Sequence, residues 1–232
     1  MSNLLTIQGL TKKYGSNTAL NNINLSIAPG HITGLLGPNG SGKTTLIKTI
    51  CGLLVPNSGT ISVDGNPVGI ESKKIISYLP DCTCLDDSMT ITAIVKTFKY
   101  FFEDFDTERA YEMLSNLSID TKARFKTLSK GTKEKVQLIL AMSRRAKLYL
   151  LDEPIGGVDP AAREYIINTI MNNYDPSASI IISTHLISDV EQLMDDAIFL
   201  QNGQVKLHKP VDDIRDEYGK SLDEYFREVY RC

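Results

Sequence analysis

Nine consecutive residues, Gly37-Pro38-Asn39-Gly40-Ser41-Gly42-Lys43-Thr44-Thr45, combine three glycines, one ammonium and three hydroxyls. That mixture is suited to holding an anion. Glycines let the backbone curl so that successive N–H groups point inward, and Asn39, Ser41 and Thr45 add polar side chains to the same turn. The spacing of Gly37, Gly42, Lys43 and Thr44 is that of a phosphate-binding loop: Lys43 would bridge the outer phosphates, and the Thr44 hydroxyl would hold Mg²⁺. A strand-like run, Ile32–Leu36, precedes the loop, and an apolar helical pattern through Leu46, Ile47 and Ile50 follows it. A glycine-rich turn that matches by chance has no reason to sit in that setting. The positive end of the helix adds to the attraction. The stretch binds a nucleoside triphosphate.

A second group of candidates closes two other apolar runs. Leu148-Tyr149-Leu150-Leu151 reads as a parallel strand buried on both faces and ends in Asp152-Glu153. Side chains at the carboxyl end of such a strand face the crevice where ligands bind. Asp152 suits Mg²⁺, a hard cation that prefers oxygen, and Glu153 suits a water aimed at the terminal phosphorus. The plain alternative is an acidic strand end that caps the next helix. His185 ends Ile180-Ile181-Ile182-Ser183-Thr184 on the same rim. There it would hydrogen-bond the terminal phosphate or orient the water, though a lone histidine at a strand end is usually structural.

The elements that must position these groups can be read from periodicity. Strands are expected over Leu4–Leu10, Leu20–Ile27, Thr60–Val63 and Ile75–Leu79, with a helix over Lys43–Leu53. From about Asp86 to Ala146 strand signals vanish and helices dominate, at Thr90–Phe102, Thr107–Leu117 and Gly131–Ala146. The last would place Arg144, Arg145 and Lys147 at its negative end. Alternation then resumes with a helix over Ala161–Met171, a strand over Ile180–Ser183, a short helix over Ser188–Met194 and a hairpin turning at Asn202-Gly203. A charged, mostly helical tail runs from Val211 to Tyr230. The pattern predicts one 232-residue domain: a core over about 1–85 and 147–208, a helical lobe inserted over about 86–146, and a tail over about 210–232. The aromatic cluster Phe98, Tyr100, Phe101, Phe102 and Phe105 reads as lobe core, with a docking patch as the alternative.

Composition narrows the function. With 42% hydrophobic residues the chain can bury a sizeable core, and a net charge of −3 gives no electrostatic case for nucleic acid or an anionic membrane. No secretory leader or membrane-length apolar run is seen. Cys51, Cys82, Cys84 and Cys232 form no paired metal framework, so Cys82-Thr83-Cys84 reads as a plain thiol pair in a reducing cytosol. Tyr14, after Lys12-Lys13, either stacks on a flat base or covers a sheet edge.

From roughly Leu4 to Leu207 the chain resembles the ATP-binding subunit of ABC transporters, with several motifs in the family's order. Gly37–Thr45 matches the Walker A loop and Leu148–Glu153 the Walker B strand. Leu128-Ser129-Lys130-Gly131-Thr132 stands for the signature Leu-Ser-Gly-Gly-Gln. Gly156-Gly157-Val158-Asp159 stands for the D-loop, His185 for the switch histidine, and Tyr14 for the aromatic that stacks on adenine. The resemblance implies an α/β fold: a P-loop NTPase core of mostly parallel sheet, an antiparallel β subdomain and an inserted α-helical lobe. It implies ATP and Mg²⁺ as ligands, with Glu153 and His185 catalytic and Asp159 at the nucleotide. Ser129 and Gly131 would bind the ATP held by a second ATP-binding subunit, identical or paralogous. Asp81 stands where the family usually has a glutamine that touches Mg²⁺, so Thr44, Asp152 and Asp81 are the metal candidates. Lys130 and Thr132 also depart from the pattern. The expected function is ATP hydrolysis driving an integral membrane permease, with the chain held peripherally on the cytoplasmic face. Gly-Gly-Val-Asp-Pro and the tail suggest export of a drug, peptide or lipid. The alternatives are a soluble ATP-driven switch or a hydrolysis-impaired partner subunit.

Overall fold

The computed structural model describes residues 3–157 and 160–230. Its elements, in chain order, begin with β1 (Leu5–Tyr14), β2 (Asn17–Ile27), β3 (Ile32–Leu36), α1 (Lys43–Ile50), β4 (Ser58–Val63), β5 (Asn66–Pro67), α2 (Ile70–Lys74) and β6 (Ile76–Leu79). Helices α3 (Ile91–Phe101), α4 (Thr107–Asn116) and α5 (Lys130–Met142) follow. The chain ends with β7 (Leu148–Asp152), α6 (Pro160–Asn173), β8 (Ser179–Thr184), α7 (Ile187–Val190), β9 (Asp196–Gln201), β10 (Gln204–Pro210), α8 (Val211–Tyr218) and α9 (Leu222–Val229).

Two sheets result. The larger has the order β10-β9-β3-β8-β7-β6 and is parallel except for its β10 edge; the smaller, β2-β1-β4-β5, is antiparallel. Every residue of β3, β7 and β8 is buried, as helices or the second sheet covering both faces require. The two-residue period sorts their side chains. Leu148, Leu150 and Ile181 pack with α1 and the small sheet, whereas Tyr149, Leu151, Ile180 and Ile182 pack with α5, α6 and the C-terminal helices.

Helix α5 belongs to two cores at once. Leu138, Ala141 and Met142 pack toward the large sheet, and Val136, Ile139 and Leu140 pack with α3 and α4 in a separate cluster. Its second half is therefore apolar all round, the pattern of a helix without a solvent face. The helix stops at Met142, short of the expected Ala146, and Arg144 lies beyond its end. That residue does not decorate a helix end. Its guanidinium lies buried, bonded to Asp104 at 2.7 and 3.0 Å, to the Ile76 carbonyl at 2.8 Å and to the Lys74 carbonyl at 2.6 Å. It also sits 3.9 Å from the centre of the Phe102 ring. One cation so ties the lobe to the strand before the site.

The aromatic cluster splits. Phe98, Phe102 and Phe105 interlock with centroids 5.7 Å apart, whereas Tyr100 and Phe101 are 84% and 70% exposed. Among the described residues, no helix is long and apolar enough to cross a membrane.

Removing Arg144 strands Asp104 and two carbonyls, so Arg144→Ala should cost about 3–5 kcal/mol in denaturant unfolding. Exposed Arg145, paired only with Asp106 at 2.9 Å, should cost no more than about 1 kcal/mol on the same change.

Candidate functional site

The chain leaves β3 at Leu36, curls through Gly37–Gly42 and enters α1 at Lys43. Glycine is needed here for two different reasons. Gly42, the residue capping α1, has φ 111°, and a Cβ there would lie 2.6 Å from the Ala19 carbonyl oxygen. Gly37 faces a steric limit only: a Cβ would lie 2.6 Å from Ser41 Oγ. The Lys43 ammonium turns back and donates to the Gly37 carbonyl at 2.8 Å and the Pro38 carbonyl at 3.3 Å. Burial lowers its pKa from the ordinary lysine value, against the opposing pull of Glu153 and Asp152.

Asp152 closes β7 two strands away, and β8 lies between. Its Oδ1 accepts from Ser183 Oγ at 2.6 Å and from Thr44 Oγ1 at 3.2 Å. Among the described residues Oδ2 is buried and finds no partner, and burial raises the pKa of the carboxyl. Ser41 Oγ, in the loop opposite, is a second buried polar atom without a partner. Two such orphans are costly in an empty protein. The carboxylate oxygen beside the Thr44 hydroxyl fits a divalent cation, which in nucleotide sites takes one or two carboxylates plus phosphate and water. The Ser41 hydroxyl fits a phosphate oxygen.

Glu153 stands in the left-handed region at φ 51°, a conformation that costs a non-glycine residue about 1–3 kcal/mol. Its N–H donates to both the carbonyl and the hydroxyl of Ser183, each at 3.0 Å. This turns its carboxylate toward His185, whose Nδ1 is 2.9 Å from Glu153 Oε2. Of these groups Lys43, Thr44 and Glu153 line a cleft of about 550 Å³, together with Tyr14, Asn39, Gly42 and Asp81 among others. Thr45 and Gly40 are also in its wall. Tyr14 is 48% exposed at the end of β1, and Asp81 lies 3.6 Å from Lys48 Nζ.

The signature residues lie elsewhere. Ser129 caps α5, its Oγ accepting from the Thr132 N–H at 3.2 Å; it is exposed and forms no part of the cleft wall. Gly131 has open space where a Cβ would be, and Lys130 is 81% exposed, 3.9 Å from Glu134. Asp159 lies outside the described residues. Sequence reasoning missed Ser183 and Lys48. Ser183 was a polar residue in an apolar strand, a signal that becomes meaningful once β8 is known to lie beside β7 in the Asp152↔Ser183 register.

A curled loop between a parallel strand and a helix, facing a buried aspartate two strands over, defines a nucleoside triphosphatase of the phosphate-loop class. Residues 20–156 match the family model described as ABC transporter. The chain is 30% identical over 220 residues to the ABC transporter ATP-binding protein YtrB of Bacillus subtilis (strain 168), covering 94% of this chain and 75% of that one. It is 33% identical over 208 residues to the SkfA peptide export ATP-binding protein SkfE of the same organism, covering 87% of each. A solved structure described as the ATP binding subunit of an ABC transporter superposes with a TM-score of 0.89 at 29% identity, over 98% of this chain and all of that one. The chain belongs to the ABC transporter family as an ATP-binding subunit.

The raised pKa of Asp152 fixes a sign. The folded protein binds this proton more tightly than the unfolded chain, so stability falls as pH rises through the window above the ordinary aspartate value. Without nucleotide or metal, Asp152→Asn should therefore melt higher than the parent at neutral pH. That gap should close as the pH is lowered toward about 4, checked by thermal unfolding across pH.

Proposed function

We propose that this chain is a Mg²⁺-dependent ATPase that powers a separate integral membrane permease through ATP-driven closure of two such subunits. The observation that carries the reading is that Lys43, Thr44 and Glu153 line one cleft, with Asp152 bonded to Thr44 and His185 bonded to Glu153. In it Lys43 and the N–H groups of Gly40–Thr45 hold the phosphates, with Asn39 and Thr45 at the rim and Tyr14 against the base. Thr44 and Asp152 would hold Mg²⁺, with Asp81 of the cleft wall as a further candidate oxygen donor. When bound, the ion neutralises phosphate charge. Glu153 takes a proton from the attacking water, and His185 fixes the carboxylate and serves the terminal phosphate; ADP and phosphate result.

Ser129, Gly131 and the start of α5 form an exposed helix end suited to an anion. This supports a second subunit's ATP as their partner. ATP would then favour the closed pair because both chains contact it. An apolar groove of about 260 Å³ between lobe and core, lined by Leu53, Phe98 and Phe102, lies near exposed Tyr100 and Phe101. It supports docking of a permease segment, and with it a peripheral position on the cytoplasmic face. Kinship with a peptide-export subunit supports export. Nucleic acid has no part in this reading.

Lys43→Ala should weaken ATP binding about 10- to 100-fold, since a charged hydrogen bond of this kind contributes about 1.5–3 kcal/mol. Glu153→Gln should keep ATP affinity, slow turnover by about 10²–10⁴-fold and elute as a dimer with ATP in size-exclusion chromatography. Unchanged turnover would remove Glu153 from its role. Affinity purification from membranes should bring down an integral membrane protein; recovery of only soluble partners would favour an ATP-driven switch instead.

A further inference from the structure

The loop between β6 and α3 holds two exposed cysteines that the ATPase reading leaves unused. Cys82 Sγ and Cys84 Sγ lie 3.7 Å apart, and Cys84 Sγ also contacts the Cys82 carbonyl at 3.6 Å. The thiols already face each other across one residue, so a bond near 2.05 Å needs a side-chain and loop adjustment of under about 2 Å. Cys51, by contrast, is buried, and burial pushes its thiol up to about 12, which keeps it inert.

The pair is placed where a covalent tie would be felt. Asp81, the residue before Cys82, lines the nucleotide cleft and faces Lys48, which is carried by α1 behind the phosphate loop. On the other side, the Cys84 N–H donates to Gln137 Oε1 of α5 at 3.3 Å, and α5 starts at Ser129. Four residues thus connect the cleft to the lobe through two polar contacts. Neither contact is strong enough to hold the loop against a covalent change.

We propose that Cys82 and Cys84 form a reversible dithiol–disulfide site that slows the ATPase when oxidised. The oxidant is a small-molecule disulfide. The Cys84 thiolate attacks one of its sulfurs and one small thiol leaves; the Cys82 thiolate then attacks Cys84 Sγ of the mixed disulfide and expels the second. Two electrons and two protons pass from the protein, and the small disulfide becomes two thiols. The new bond draws Cys82 and Cys84 together, moving Asp81 away from the cleft and Cys84 from Gln137. The disulfide itself does not depend on the permease reading, and its test separates the two.

The full chain, purified reduced, is incubated with oxidised glutathione and mapped by mass spectrometry. The expected result is an intramolecular Cys82–Cys84 peptide lighter by two hydrogens, with ATP turnover down about tenfold and restored by dithiothreitol. The Cys82→Ser/Cys84→Ser double variant should keep the parent's reduced turnover and ignore glutathione. Only a stable glutathione adduct, or no product, would overturn the site. A formed disulfide with unchanged turnover would overturn its regulatory role. Both readouts use the isolated chain, so a failed permease pull-down leaves them intact.

Discussion

Everything at the site follows from two charges kept out of water without being allowed to neutralise each other. The Lys43 ammonium is spent on the carbonyls of its own loop, and the Asp152 carboxylate on two hydroxyls, leaving one buried oxygen bare. What results is a polar cleft lined by Lys43 and Thr44, with the incompletely partnered Asp152 carboxylate bonded to Thr44. The pKa displacements, lysine downward and aspartate upward, are the electrostatic signature of that arrangement.

The gap stays open because the backbone around it is rigid. Strands β3, β8 and β7 are buried from end to end, so their carboxyl ends cannot drift, and Ser183 of the middle strand braces both Asp152 and the Glu153 N–H. The strained φ of Glu153 is held by the same serine. Binding energy can then go into the ligand rather than into ordering the site.

A second theme is how the lobe is fastened. Helix α5 shares its apolar surface between lobe and sheet, and Arg144 adds a buried, multiply bonded tie at its far end. The near end carries Ser129 into solvent. The loop of Asp81 and the two thiols, which has no regular structure, forms a second link between cleft and lobe through Lys48 and Gln137.

The phosphate loop, the acidic strand end and the alternation of strands with helices were legible in the chain itself. Each depends on local spacing: glycine freedom, hydroxyl and ammonium at adjacent positions, apolar runs of strand length. Composition also separated the helical stretch from the strands around it. Other features were decided only on folding. The partnership of Asp152 with Ser183, and of Glu153 with His185, requires β7 and β8 to be neighbours in a fixed register. Arg144 reads locally as a helix-end cation; it became a buried tie because Asp104 and two carbonyls from distant segments close on it. The split of the aromatic cluster into packed and exposed members likewise rests on which face of α3 meets α4 and α5. Local sequence dictates what a residue is able to do, and long-range packing, which removes water from some of those residues and not others, decides which of them do it.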